Sequence, residues 1–169
     1  MKKILMVLSC ASMLGMYPNT GEGAMKITSA AFSDNQMIPR KFTCQGDDVN
    51  PPLAINAVPA GTRSLALIVD DPDAPMGTWV HWVVFNIPPD TTSIGENSIP
   101  GEPAGNNFGR PNYGGPCPPS GTHRYFFKIY ALDTLLQSAD ISSKADLEQS
   151  MAGHILGQAQ LIGLYQKSR

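Results

Sequence analysis

Two stretches decide the reading of this chain: Trp79-Val80-His81-Trp82-Val83-Val84-Phe85-Asn86-Ile87 and Thr122-His123-Arg124-Tyr125-Phe126-Phe127-Lys128-Ile129-Tyr130-Ala131-Leu132. Both are dense in aromatic and β-branched residues, which suit a pleated, half-buried surface better than a helix. Side chains alternate across a strand, so Trp79, His81, Val83 and Phe85 are expected on one face of the first. On the second, His123, Tyr125 and Phe127 share a face, while Arg124 and Lys128 point the other way. Each strand therefore begins with a polar aromatic pair and runs on into apolar residues. With both faces turned inward, the two histidines meet at the rim of one core.

Working outward, Lys26–Phe32, Leu53–Val58, Ser64–Val69 and Ala159–Gln166 are shorter apolar or alternating runs bounded by Pro, Gly or Asp, and read as further strands. One helix is expected from Lys144 to about His154. Ser143 is its N-cap, Asp146 stands three residues on, and Leu147, Met151 and Ile155 form a helix-period stripe that belongs to the core. Between the two strongest strands lie residues 88–121, which hold fifteen glycines and prolines and no sustained apolar period. A connection of that length in a compact domain is usually a functional loop. The expected fold is mainly β: a two-sheet antiparallel sandwich with one or two short helices near the C-terminus.

At 169 residues the chain suits one domain, with charged residues at 15%, apolar ones at 42% and a net charge of −2. No basic stripe marks it for nucleic acid. Residues 1–24 read as a signal peptide: Lys2 and Lys3 precede an apolar run from Ile4 to Met16, and a small, polar stretch follows Pro18. That run is too short to span a bilayer, and nothing in the mature chain from Met25 suggests a membrane helix. The domain is expected at 25–169, exported to the periplasm or medium; Met25 as the true start is the cytoplasmic alternative. Cys44 and Cys117 then remain, and either a disulfide or two buried thiols fits.

Asp70-Asp71-Pro72-Asp73-Ala74-Pro75 directly follows a strand. Its prolines make a stiff turn that holds carboxylates in set directions. A carboxylate beside an imidazole fixes its tautomer and raises its pKa, keeping it cationic enough to hold an anion. Gly114-Gly115, ahead of Pro116-Cys117-Pro118-Pro119, can bring backbone N–H groups close to such an anion. Each feature alone has a bland reading as turn or crossing.

Taken in order, Asp71-Pro72-Asp73-Ala74-Pro75, Trp79-Val80-His81-Trp82, and Gly115-Pro116-Cys117-Pro118-Pro119 with His123-Arg124-Tyr125 resemble the phosphatidylethanolamine-binding proteins, most closely their bacterial Raf-kinase-inhibitor-like branch. Phe42-Thr43-Cys44, Pro51-Pro52-Leu53 and Leu161-Ile162-Gly163-Leu164-Tyr165 support the match, which covers roughly residues 26–167. Asn50 and Gln160 depart from the family pattern, outside the pocket motifs. The resemblance implies a ligand site formed by Asp71, Asp73, Trp79, His81, Gly115, Pro116, His123 and Tyr125. It also implies a phosphate-type anion or phosphoethanolamine-like head group as ligand, no cofactor or resident metal, a homodimer, and modulation of a signalling partner.

The expected activity is thus non-catalytic anion binding, weakening as pH rises through the imidazole pKa values. Two alternatives stand beside it. One is a metal-dependent or acid–base hydrolase using His81, His123 and Asp71, although no HxH or HExxH spacing supports it. The other is a partner-binding inhibitor that reads a phosphorylated or acidic group on an unspecified protein.

Overall fold

The computed structural model describes residues 23–168; the signal-peptide reading falls almost wholly on residues 1–22, outside the described part. In chain order the strands are β1 (Lys26–Thr28), β2 (Gln36–Met37), β3 (Leu53–Asn56), β4 (Ser64–Asp71), β5 (Trp79–Ile87), β6 (Ser93–Ile94), β7 (Glu102–Ala104), β8 (Thr122–Leu132) and β9 (Ile155–Gln166). They form a small sheet, β1-β3-β6, and a large one, β2-β9-β8-β4-β5-β7. The main core lies between them: Ile27, Leu53, Ile55 and Ile94 of the small sheet meet Leu67, Val69, Trp82, Phe127 and Leu161 of the large one. The mainly β, two-sheet fold is the one expected.

A second apolar cluster covers the outer face of the large sheet, where Ala66, Ile68, Val83 and Phe85 pack under Leu147 and Met151 of α1 (Lys144–Met151), the one α-helix among the described residues. Its N-cap is Ser143, whose hydroxyl accepts the Asp146 N–H at 3.3 Å. The helix ends at Met151, and Ile155 opens β9 with 43% of its surface exposed, so it is no part of the helical stripe. Covered on both sides, β4 is buried at every one of its residues.

Three further expectations need correction. β2 runs parallel to β9, pairing Gln36 with Gly163 and Met37 with Leu164, so the large sheet is not purely antiparallel. The chain reaches β2 from the other sheet, which leaves its direction free of any hairpin constraint. Residues 88–121 contain β6 and β7, too short to produce a two-residue apolar period.

The third correction bears on the site. Along β5, Val80 pairs with Asp70 and Trp82 with Val69, leaving His81 as an extra, bulged residue. A bulge shifts the alternation by one. His81 and Trp82 therefore both turn toward the inner side, whereas Val83 and Phe85 join the outer cluster under α1. The expected shared face of Trp79, His81, Val83 and Phe85 is split after His81.

Candidate functional site

Where β4, β5 and β8 end beside the loops that follow, they enclose a cavity of about 250 Å³. Four expected site residues line it: Asp71 from β4, Trp79 and His81 from β5, and Tyr125 from β8. The walls are otherwise mostly apolar, with Ala74, Pro75 and Met76 on one side and Phe108, Pro118 and Pro119 on the others.

Asp71 ends the most buried strand and is itself only 4% exposed. Its Oδ2 accepts a hydrogen bond from His123 Nδ1 at 2.7 Å, and its Oδ1 accepts the Asp73 N–H at 2.8 Å. His123 thus stands behind Asp71 rather than on the cavity wall. Asp73 points outward to Arg124, which donates to it through its backbone N–H, Nε and Nη2 at 3.0, 2.9 and 2.7 Å. The Arg124 side-chain bonds, which outweigh the upward push of burial, hold the Asp73 carboxyl down to about 2. Asp73 shapes the turn and does not face the cavity.

His81 owes its place to the bulge. Its Nδ1 lies 2.6 Å from Gly114 O, and because a carbonyl only accepts, the proton sits on Nδ1. Its Nε2 has no partner among the described residues. Burial lowers the His81 pKa below the ordinary histidine value, outweighing the Gly114 bond and the charges of Asp71, Asp70 and Asp48 that push it up. This overturns the expectation of a raised pKa for this ring: in the unliganded protein it is neutral at neutral pH. The ring meets Tyr125 and Phe108 edge-on, at 5.2 and 5.3 Å between centroids.

The Tyr125 hydroxyl is buried and makes no well-formed hydrogen bond among the described residues. Burial, then the charges of Asp71 and Asp73, raise its pKa; the Cys117 N–H counters part of that. It is therefore a proton donor with no fixed acceptor.

The glycine cradle does not form. Gly114 N–H donates to His81 O at 3.0 Å and Gly115 N–H to Asp48 Oδ1 at 2.6 Å, so both amides are spent within the protein. Gly115 and Pro116 sit behind the wall, where Pro116 O accepts the Cys44 N–H at 3.1 Å. Cys44 and Cys117 are joined by a disulfide that fastens this wall to the preceding loop, with Cα atoms 5.5 Å apart. Cys117 itself lines the cavity.

Phe108 escaped the sequence reading. It stands edge-on to Trp79 at 5.6 Å and completes the aromatic rim. The available signal was a lone aromatic between Asn106-Asn107 and Gly109, in a loop otherwise poor in apolar residues. On the outer face Asp70, next in sequence to Asp71, is 1% exposed and pairs with Lys128 and Lys144, away from the cavity. Among the described residues no three His, Cys, Asp or Glu side chains group as a metal site requires, and no helix is long and apolar enough to cross a membrane.

Comparison with known proteins agrees with this architecture. A UPF0098 protein of Methanothermobacter thermautotrophicus is 51% identical, over 85% of this chain and 99% of its own length. One of Pyrococcus horikoshii is 45% identical, over 99% of this chain and 91% of its own. Among solved structures, a phosphatidylethanolamine-binding protein homologue of Chlamydia trachomatis superposes with a TM-score of 0.82 at 41% identity, covering 86% of this chain and 99% of that one. YbcL of E. coli, described as a member of the mammalian family, gives 0.79 at 29% identity, covering 86% and 100%. The sequence profile described as "Phosphatidylethanolamine-binding protein" matches residues 28–166. By the family profile, these relatives and the shared fold, this chain belongs to the phosphatidylethanolamine-binding protein family.

Proposed function

We propose that the cavity binds a small phosphate-type anion, free or as a phosphoethanolamine-like head group, and does so without catalysing a reaction. The observation that carries this reading is the Tyr125 hydroxyl, buried beside His81 in a mostly apolar cavity with no well-formed hydrogen bond among the described residues. An unpaired buried polar group costs about 1–3 kcal/mol, and a ligand oxygen removes that cost. His81 Nε2 is the second point of attachment. The rings of Trp79 and Phe108 suit an ammonium or apolar remainder.

Among the described residues no lysine or arginine lines the cavity, so a proton is left to meet the charge of the anion. His81 takes one up as the anion arrives, or its neutral Nε2 accepts the hydroxyl proton of a singly protonated phosphate group. Either route makes binding tightest in mild acid and weaker as pH rises. The expected pH trend is kept, but its origin is proton uptake and not a standing imidazolium.

His123 stands behind Asp71 and off the cavity wall, so the metal-dependent or acid–base hydrolase alternative with His81, His123 and Asp71 has only two of its three groups facing the cavity, which supports a binder. We also propose that the domain works in the periplasm or medium, which the Cys44–Cys117 disulfide supports. A homodimer, and a protein partner that carries the phosphate-type group, are proposals on the same chemistry.

Calorimetric titration of residues 25–169 with phosphate and phosphoethanolamine tests the reading, beside a His81→Ala/His123→Ala control. Saturable binding that is lost in the control and indifferent to zinc is the expected result. Binding that needs added zinc would replace it with the metal-dependent hydrolase.

A further inference from the structure

Gly114 and Gly115 share one peptide group, and that group is gripped at both ends. Its N–H donates to Asp48 Oδ1 at 2.6 Å, and its C=O accepts the His81 Nδ1–H at 2.6 Å. Asp48 is held in turn: its Oδ2 accepts Arg110 Nη2 at 2.8 Å. Arg110 also donates to Tyr113 O at 3.2 Å and lies over the Phe108 ring. Nothing larger than glycine fits around the peptide. A Cβ on Gly115 would stand 2.7 Å from both Asp48 Oδ1 and Phe42 O, and one on Gly114 would overlap the Phe108 ring.

We propose that Asp48 is a positioning residue for His81, acting through the Gly114–Gly115 peptide, which keeps the ring proton on Nδ1 and leaves Nε2 free for the ligand. The inference rests on the anion-site reading above for its functional meaning, though not for its test. The two bonds run head to tail along the peptide dipole. A negative charge at the N–H end makes the carbonyl a stronger acceptor for the imidazole proton. The arrangement is a carboxylate–imidazole pair with one peptide inserted. Such outer partners orient a histidine by fixing which nitrogen carries the proton. Other groups bear on this ring and set the background: Asp71 and Asp70 from β4, and Tyr125 from β8 with His123 behind Asp71.

The test is nuclear magnetic resonance of the imidazole nitrogens in the full chain, with His81 assigned through His81→Gln. Asp48 has φ +57°, which aspartate and asparagine tolerate better than alanine, so Asp48→Asn is the first variant and Asp48→Ala the second. Asparagine keeps an oxygen for the Gly115 N–H, and removes the charge together with the Oδ2 that accepts from Arg110. The expected result is an unchanged Nδ1–H tautomer with the His81 titration moved to lower pH. In Asp48→Ala the Nδ1 proton should exchange faster and the Nε2–H tautomer appear, while His123 stays as it was. An unmoved His81 titration in Asp48→Asn overturns the proposal, whether or not the alanine variant folds. Phosphate titration separates the two readings. A wild type that binds no phosphate sinks the anion site and leaves the resonance result to judge Asp48. Phosphate affinity about tenfold weaker in Asp48→Asn, together with the shifted titration, supports both. The same loss with an unshifted His81 overturns positioning alone.

Discussion

The two histidines at this site use the same ring nitrogen in different ways. His123 Nδ1 meets a carboxylate directly, Asp71 Oδ2, at 2.7 Å. His81 Nδ1 meets a carbonyl, Gly114 O, at 2.6 Å, with its carboxylate one peptide further away. The first ring is locked to a charge and stands behind the cavity wall. The second is locked to a dipole, kept neutral by burial, and left with one nitrogen facing the space a ligand enters. A dipole fixes a tautomer without forcing a standing charge, so the cavity-facing nitrogen keeps the option of accepting a proton.

The largest expected effect breaks the His81 side. The Cys44–Cys117 bridge spans 73 residues, and closing a loop of that length stabilises a fold by about 4 kcal/mol in the chain-entropy view. A Cys44→Ser/Cys117→Ser variant should lose stability of that order in urea unfolding. Its phosphate affinity should fall because the wall behind His81 is loosened, while the His123 resonance stays put. A shifted His123 with His81 unchanged would reverse the assignment of the two sides.

Asp71→Ala strikes the opposite side. It strips His123 of its acceptor and the Asp73 N–H of its cap, and should cost about 3 kcal/mol. Its ring spectra should show His123 losing its fixed tautomer and His81 keeping its own. Loss of both would mean that the two rings are held as one unit.

The smallest effect sharpens the contrast through pH. Because the folded-state pKa of His81 lies below its ordinary value of 6.5, the unfolded chain binds more protons in the interval between them. Its contribution to stability is therefore complete above that ordinary value and is lost as pH falls through the interval, at no more than about 1.4 kcal/mol per pH unit. Urea midpoints followed from neutral to mildly acid pH should fall less steeply in His81→Gln than in wild type. Bound phosphate should oppose the trend, since its affinity rises over the same range. Parallel curves for the two proteins would remove His81 as the source.

Much of this was legible in the residues. β5 and β8 announced themselves through Trp82, Val83, Val84 and Phe85 and through Tyr125 to Ile129, because strand composition is a local property. The cap at Ser143 and Asp146 was equally local. The phase of β5 was not, because a bulge is defined by the partner strand: counting along one chain cannot reveal that Asp70 and Val69 leave His81 unmatched. The same reason hid β2, β6 and β7, whose two or three residues are strand only by virtue of what they pair with. In the site, Asp71, Trp79, His81 and Tyr125 stood in motifs, whereas Phe108 and Asp48 sit in polar loops and gain meaning only from what surrounds them.

β4 carries one more implication. Over Leu65–Val69 apolar layers cover both of its faces and neighbouring strands both of its edges, so amides there have no local route to solvent. Their deuterium uptake should proceed only through global unfolding, on the slowest clock in the molecule. Asp71 closes that strand, so the carboxylate of the cavity is anchored in the last part of the protein to open, and the pocket floor persists for as long as the fold itself.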